Sequence, residues 1–181
     1  IDPRDLSTVG SQDFDGAVRN SFTAHPKIDP VTGYMHFFGY YFLPPYLTYY
    51  VADDRGEVVW SQEIPVEKTT MIHSFAITAE DVIFWEFPVV FELSRAAGNP
   101  IAAYQWQPEY GSRIGIMPLG GRVEDLRWVE IPNCFVFHEV NASRDGDEVV
   151  LDVCRHDEMF SGGDIGGSRL DVRRWRIDTS G

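Results

Sequence analysis

Phe135-Val136-Phe137-His138-Glu139-Val140 is a run of strand-forming residues carrying one histidine. A turn at Asp145-Gly146-Asp147 follows it, and then an apolar stretch from Glu148. The same arrangement occurs twice earlier, around Phe22-Thr23-Ala24-His25-Pro26-Lys27 and Met71-Ile72-His73-Ser74-Phe75-Ala76. The step from each histidine into the following strand is nearly constant: 10 residues to Met35, 9 to Val82 and 11 to Val149. A hairpin return of fixed length gives such a step. The aromatic and β-branched residues on either side suit a pleated, half-buried surface. The three segments therefore read as the first strands of a repeated β-unit.

Working outward, residues 34–41, 46–53 and 57–65 read as the remaining strands of the first unit. Pro44-Pro45 separates two of them, and Asp53-Asp54-Arg55-Gly56 reads as a hairpin turn. Residues 81–87, 113–117 and 123–131 complete the second unit, and 148–155 and 169–177 continue the third. The histidines stand 48 and 65 residues apart. Propeller repeats run to about 40–50 residues, with four strands per blade. The longer spacing traces to residues 88–111, read as an inserted loop with aromatic residues at Tyr104, Trp106 and Tyr110. Long loops of this kind are usually functional, and this one is expected to cover a pocket. Residues 94–103 have room for a turn of helix, broken by Gly98 and Pro100. The reading is all-β, a β-propeller. Residues 1–181 form a single partial domain with blades at 22–66, 70–132 and 133–181, the last incomplete. Propellers close with about 4–8 blades, so the chain is expected to be part of a larger one. Its first residue, Ile1, suits a processed product or a piece of a longer protein.

Composition narrows the function. At 44% hydrophobic and 14% aromatic, the 181 residues can bury a sizeable core. A net charge of −13, from 28 acidic against 15 Lys and Arg residues, argues against nucleic acid or an anionic membrane as main partner. No stretch approaches the ~20 apolar residues of a membrane span, and no signal-peptide pattern opens the chain. Cys134 and Cys154 form no C-x-x-C pair; they have the spacing to face each other across a hairpin, and two buried thiols suit a cytoplasmic location. No G-x-S-x-G elbow, P-loop or G-x-G-x-x-G opening a helix is present. Asp145-Gly146-Asp147 lacks the rest of a calcium loop and reads as a tight turn. The glycine-rich run Gly162–Gly167 reads as a hairpin loop.

The innermost strand of each blade lines a propeller's axis, so His25, His73 and His138 would converge there. Imidazole suits zinc, copper, iron and nickel, and neutral ligands leave the ion's full charge available for redox or Lewis-acid chemistry. Three readings stay open: a redox metal enzyme, a zinc-dependent propeller hydrolase, and a non-catalytic binding module with structural histidines. His36, inside an aromatic strand, reads as structural. His156-Asp157-Glu158 offers a short His-x-acid pair in a loop beyond a strand end, and ranks well below the triplet.

Several motifs in order resemble the carotenoid cleavage oxygenase family, which includes apocarotenoid- and lignostilbene-cleaving enzymes. They are Thr23-Ala24-His25-Pro26-Lys27-Ile28-Asp29-Pro30 with His36-Phe37-Phe38-Gly39-Tyr40, Pro44-Pro45-Tyr46-Leu47-Thr48-Tyr49, His73-Ser74-Phe75-Ala76-Ile77-Thr78, Arg113-Ile114-Gly115-Ile116-Met117-Pro118 and Phe137-His138-Glu139-Val140-Asn141-Ala142. Ser74 departs from the acid usual in the family. The resemblance covers essentially the whole chain. It implies a seven-bladed propeller holding Fe(II) on four histidines, of which His25, His73 and His138 match the first three. No residue here matches the fourth, or the glutamates that hydrogen-bond the ligands. It implies oxidative cleavage of a conjugated C=C bond by O2 to two carbonyl products. The substrate implied is a small lipophilic or aromatic molecule, a carotenoid, apocarotenoid or stilbene, and peripheral membrane contact is compatible with it. Phe137 becomes a candidate wall of the substrate tunnel, beside its ordinary reading as core.

Overall fold

Three antiparallel sheets follow one another along the chain in the computed structural model, which describes residues 1–163, 165–166 and 168–180. The first contains β1 (Lys27–Ile28), β2 (Met35–Tyr40), β3 (Leu47–Ala52) and β4 (Val58–Glu63), side by side in that order. The second begins with β5 (Ala76–Ile77) and β6 (Asp81–Glu86). The chain then leaves the sheet for a separate hairpin, β7 (Val89–Phe91) and β8 (Tyr104–Trp106), and returns as β9 (Ser112–Pro118) and β10 (Arg127–Ile131), giving the order β5-β6-β9-β10. The third sheet is β11 (Phe135–Asp145), β12 (Glu148–His156) and β13 (Leu170–Asp178). These are meandering blades of a β-propeller, as the repeat predicts. Among the described residues the only helical pieces are short 3-10 turns, and no helix is long and apolar enough to cross a membrane.

Alternation along β6 shows how the blades stack. Successive strand residues point to opposite faces. Val82 and Phe84 pack with Phe38, Leu47, Tyr49 and Phe75 on the side of the first blade. Ile83 and Trp85 pack with Ile114, Phe135, Leu151 and Val153 on the side of the third. Every residue of β6 is buried, so the middle blade is apolar on both faces. Each fully buried large apolar side chain stabilises by about 1.5–3 kcal/mol. Buried charges are paired both across these joints and within the middle blade. Arg144 of β11 grips Asp81 of β6 at 2.7 and 2.9 Å. Glu86 accepts from Arg113 Nε at 2.6 Å and from the Tyr110 hydroxyl, while burial pushes its carboxyl above the ordinary range.

The turns follow their sequences. Asp53 Oδ1 accepts from the backbone N–H groups of Arg55 and Glu57, and Gly56 supplies the φ of +83° that closes the hairpin. Gly146, at φ +60°, closes the turn between β11 and β12. Gly39 serves a close approach instead, since a Cβ there would stand 2.2 Å from the Ser21 carbonyl oxygen. Its absence lets residues 21–23 lie against β2, where the Thr23 N–H donates to Phe38 O at 2.9 Å. That contact aims the His25 segment.

In the fold the structure corrects three readings and refines a fourth. His25 and His73 lie outside strands, just ahead of two-residue β1 and β5; only His138 sits within one. The innermost edge of each sheet is where the ladder lapses. Residues 88–111 are not an irregular loop, because Val89–Phe91 pairs with Tyr104–Trp106 and both flank the core. The 94–103 stretch holds 3-10 turns at Leu93–Arg95 and Pro100–Ala103. Cys134 and Cys154 do not face each other: Cys154 pairs with Val172 of β13, and both thiols are free. Cys134 is buried, which pushes its thiol up to about 11. Within the glycine-rich run, Asp164 and Gly167 lie outside the described residues.

Candidate metal centre

Each histidine of the triplet is delivered by a break in regular structure. Thr23, itself buried, accepts from the His25 N–H at 3.2 Å and donates to the His73 carbonyl at 3.5 Å, tying the first two segments together. The His73 segment is held on its other side by the Met71 N–H to Val89 O bond, 2.8 Å, so the inserted hairpin braces it. Ile72, Ser74 and Phe75 are buried around His73. His138 falls between Val136 and Glu139, where the pairing of β11 with β12 shifts register. Such a bulge bends the strand and re-aims a side chain.

The result is convergence. His25 Nε2 stands 3.0 Å from His73 Nε2 and 3.2 Å from His138 Nε2. All three ligand atoms lie within 4.8 Å of one another. The rings meet edge-on, with every pair of centroids 4.8 Å apart. His25 and His73 are half-buried and His138 is exposed.

The donor set fits a divalent transition metal. With metal–nitrogen bonds of about 2.0–2.1 Å, donors on a tetrahedral or octahedral ion stand roughly 2.8–3.4 Å apart, and the 3.0 and 3.2 Å approaches fall there. One shared proton satisfies a single pair of these nitrogens and leaves the third lone pair pointing at its neighbours; one cation satisfies all three. The protonated form is also disfavoured. Burial, then the neighbouring His138 and His25, hold the His73 imidazole below its ordinary pKa, with Glu139 opposing. Neutral imidazole is the form that binds metal.

The other candidates separate from this group. His36 is buried in β2 with Nδ1 2.5 Å from the Tyr49 hydroxyl, a structural partnership. His156 is the last residue of β12 rather than part of a loop. Its Nδ1 is buried with no partner among the described residues, and its ring packs edge-on to Phe137 at 6.0 Å. Asp157 is taken by Arg155. Phe137 stands between, 5.6 Å edge-on from His73 and 4.7 Å from Phe135, so one ring both faces the cluster and seals the core.

Sequence reading missed a polar group beside the cluster. Lys27 forms an ion pair with Glu139 and lies 3.5 Å from Ser74 Oγ. The signal was present: a polar residue stands one or two places after each histidine of the triplet.

The whole chain, residues 1–181, matches the family model described as retinal pigment epithelial membrane protein. It is 42% identical over 156 residues to carotenoid 9,10(9',10')-cleavage dioxygenase 1 of Arabidopsis thaliana, covering 86% of this chain and 29% of that protein. It is 40% identical over 158 residues to isoeugenol monooxygenase of Pseudomonas nitroreducens, covering 84% of this chain and 33% of that protein. The crystal structure of Pseudomonas brassicacearum lignostilbene dioxygenase superposes with a TM-score of 0.84 at 28% identity, over 97% of this chain and 39% of that one. The chain thus spans about a third of the length of the relatives it matches.

Proposed function

This chain belongs to the retinal pigment epithelial membrane protein family, and from that premise we propose that the whole protein carrying it is an Fe(II)-dependent dioxygenase. The reaction is cleavage of a conjugated C=C bond in a carotenoid, apocarotenoid or stilbene. One oxygen atom of O2 goes to each carbon, and two carbonyl products leave. The observation that carries this is the convergence of the His25, His73 and His138 Nε2 atoms. The names of the relatives, a carotenoid cleavage dioxygenase, an isoeugenol monooxygenase and a lignostilbene dioxygenase, support the reaction class.

Ferrous iron held by the three histidines would supply a position at which O2 is bound and activated. The chain's own residues do the rest. Neutral imidazoles leave the charge of the ion undiminished. Thr23 fixes the His25 and His73 segments relative to each other. Phe137 presents an apolar ring beside His73 that suits a lipophilic or aromatic substrate and keeps water from that side. Exposed Tyr41, Phe42 and Leu43 form the apolar surface on which a peripheral membrane contact would deliver such a substrate. Blades at 22–66, 70–132 and 133–181 belong to one domain in this reading, and the free thiols suit a cytoplasmic setting.

The test is iron analysis and O2-dependent aldehyde formation by the whole protein. Stoichiometric iron is expected, with His73→Ala and His138→Ala variants losing it together with activity. Normal iron in both variants would sink the assignment, as would zinc co-purifying with activity.

A further inference from the structure

We propose that Lys27, Ser74 and Glu139 are positioning residues for the histidine cluster, with the Glu139 carboxylate cancelling a charge that would otherwise oppose the metal. The inference rests on the metal-site reading above and concerns groups outside the ligand set. Lys27 lies two residues after His25, Ser74 one after His73 and Glu139 one after His138. Each of the three blades therefore contributes one ligand and one member of the polar layer.

The layer is built rather than incidental. The Lys27 ammonium pairs with Glu139 Oε1, with the two side chains 23% and 13% exposed. The same ammonium stands 3.5 Å from Ser74 Oγ and 5.8 Å from the centre of the Phe75 ring. Partly buried pairs are weakly screened by solvent, so this contact joins the first blade to the third in a way a surface pair does not. The two residues it joins follow His25 and His138 in sequence, and those histidines approach to 3.2 Å. Glu139 Oε2 is buried with no partner among the described residues, which leaves the carboxylate's charge concentrated on this pair.

Charge makes the proposal specific. An unpaired ammonium two residues from His25 would repel a divalent cation in the cluster. An unpaired carboxylate would not. Removing Glu139 and removing Lys27 therefore have unequal effects on metal binding, whereas a packing role makes them alike. Ser74 offers an independent check: it already faces Lys27 from the second blade, so an aspartate there brings a carboxylate to the same ammonium.

The experiment uses the whole protein, stripped of metal and titrated with Co(II). Equilibrium dialysis gives affinity, visible absorption reports the ligand field, and circular dichroism reports the fold. Wild type is expected to bind one Co(II) per chain. Glu139→Gln is expected to bind about 10–100-fold more weakly, the range for losing a group that orients a ligand. Lys27→Met is expected to lose less than about tenfold, and Ser74→Asp/Glu139→Gln to recover most of the wild-type affinity and its absorption spectrum. For a Glu139→Gln protein that does not fold, the exchanged pair Lys27→Glu/Glu139→Lys carries the test, and near-wild-type cobalt binding is expected. The proposal is overturned by wild-type affinity in folded Glu139→Gln, by equal losses in the two single variants without rescue by aspartate at 74, or by loss of cobalt from a folded exchanged pair. Wild type that binds no stoichiometric cobalt overturns the metal reading itself, so the two failures are distinct.

Discussion

His36 and the triplet of His25, His73 and His138 are the same side chain in two kinds of backbone. His36 sits in an unbroken ladder, paired with Lys27 of β1 on one side and Val51 of β3 on the other. Its ring nitrogen meets the Tyr49 hydroxyl of the same sheet. The triplet occupies the innermost rim, where β1 and β5 are two residues long and β11 slips register. There the nearest ring nitrogens are those of the other two histidines. Regular pairing fixes side-chain direction and supplies neighbours, so a histidine in it becomes structural. Where pairing lapses, three blades can aim their side chains at one point. The site exists because the sheets end there.

The sharpest way to break this comparison is to exchange the consequences of the two kinds of histidine. His73→Ala is expected to lower metal affinity by more than about a hundredfold, exceeding the loss typical of an outer-shell change, with the circular dichroism spectrum intact. His36→Gln is expected to leave metal affinity within about threefold, measured by the same dialysis. Equal losses would mean that the cluster is held by sheet integrity rather than by its own nitrogens.

Next in size, Trp85→Ala removes the largest fully buried side chain of β6 and is expected to cost about 3–5 kcal/mol of stability. Denaturant midpoints would show it, and metal affinity of the remaining folded protein should change little. Gly56→Ala, at φ +83° in the outer turn with open space around it, is expected to cost about 1 kcal/mol. The smallest effect is on pH dependence. Burial holds the His36 imidazole below its ordinary pKa, with Asp29 partly offsetting. Between that lowered value and the ordinary 6.5, the unfolded chain binds the extra proton and the folded chain does not. Stability therefore falls as pH drops through this window. His36→Gln should flatten that slope in urea titrations run downward from the ordinary value of 6.5, and an unchanged slope would contradict the burial argument.

The same contrast explains what is legible in the sequence. The longer strands announce themselves through runs of β-branched and aromatic residues, as Val82-Ile83-Phe84-Trp85 does, and through turns such as Asp53–Gly56. The fold class follows from them. The inner rim carries no such pattern. Pro26 and Ser74 flank histidines in segments too short and irregular for periodicity, so a strand reading overshoots there. The histidines show through recurrence rather than through secondary structure. Lys27, Ser74 and Glu139 escape notice because their contact joins residues 112 apart, and only the stacking of blades brings them together. The 88–111 hairpin reads as a loop because its strands are three residues each, below the length at which alternation can be counted.

The most direct test of the central claim is X-ray absorption at the iron edge of the whole protein, purified with its metal. The account predicts one iron per chain with at least three imidazoles in its coordination shell, and fewer after His138→Ala. Iron without imidazole ligands, or an imidazole count unchanged by His138→Ala, would contradict it.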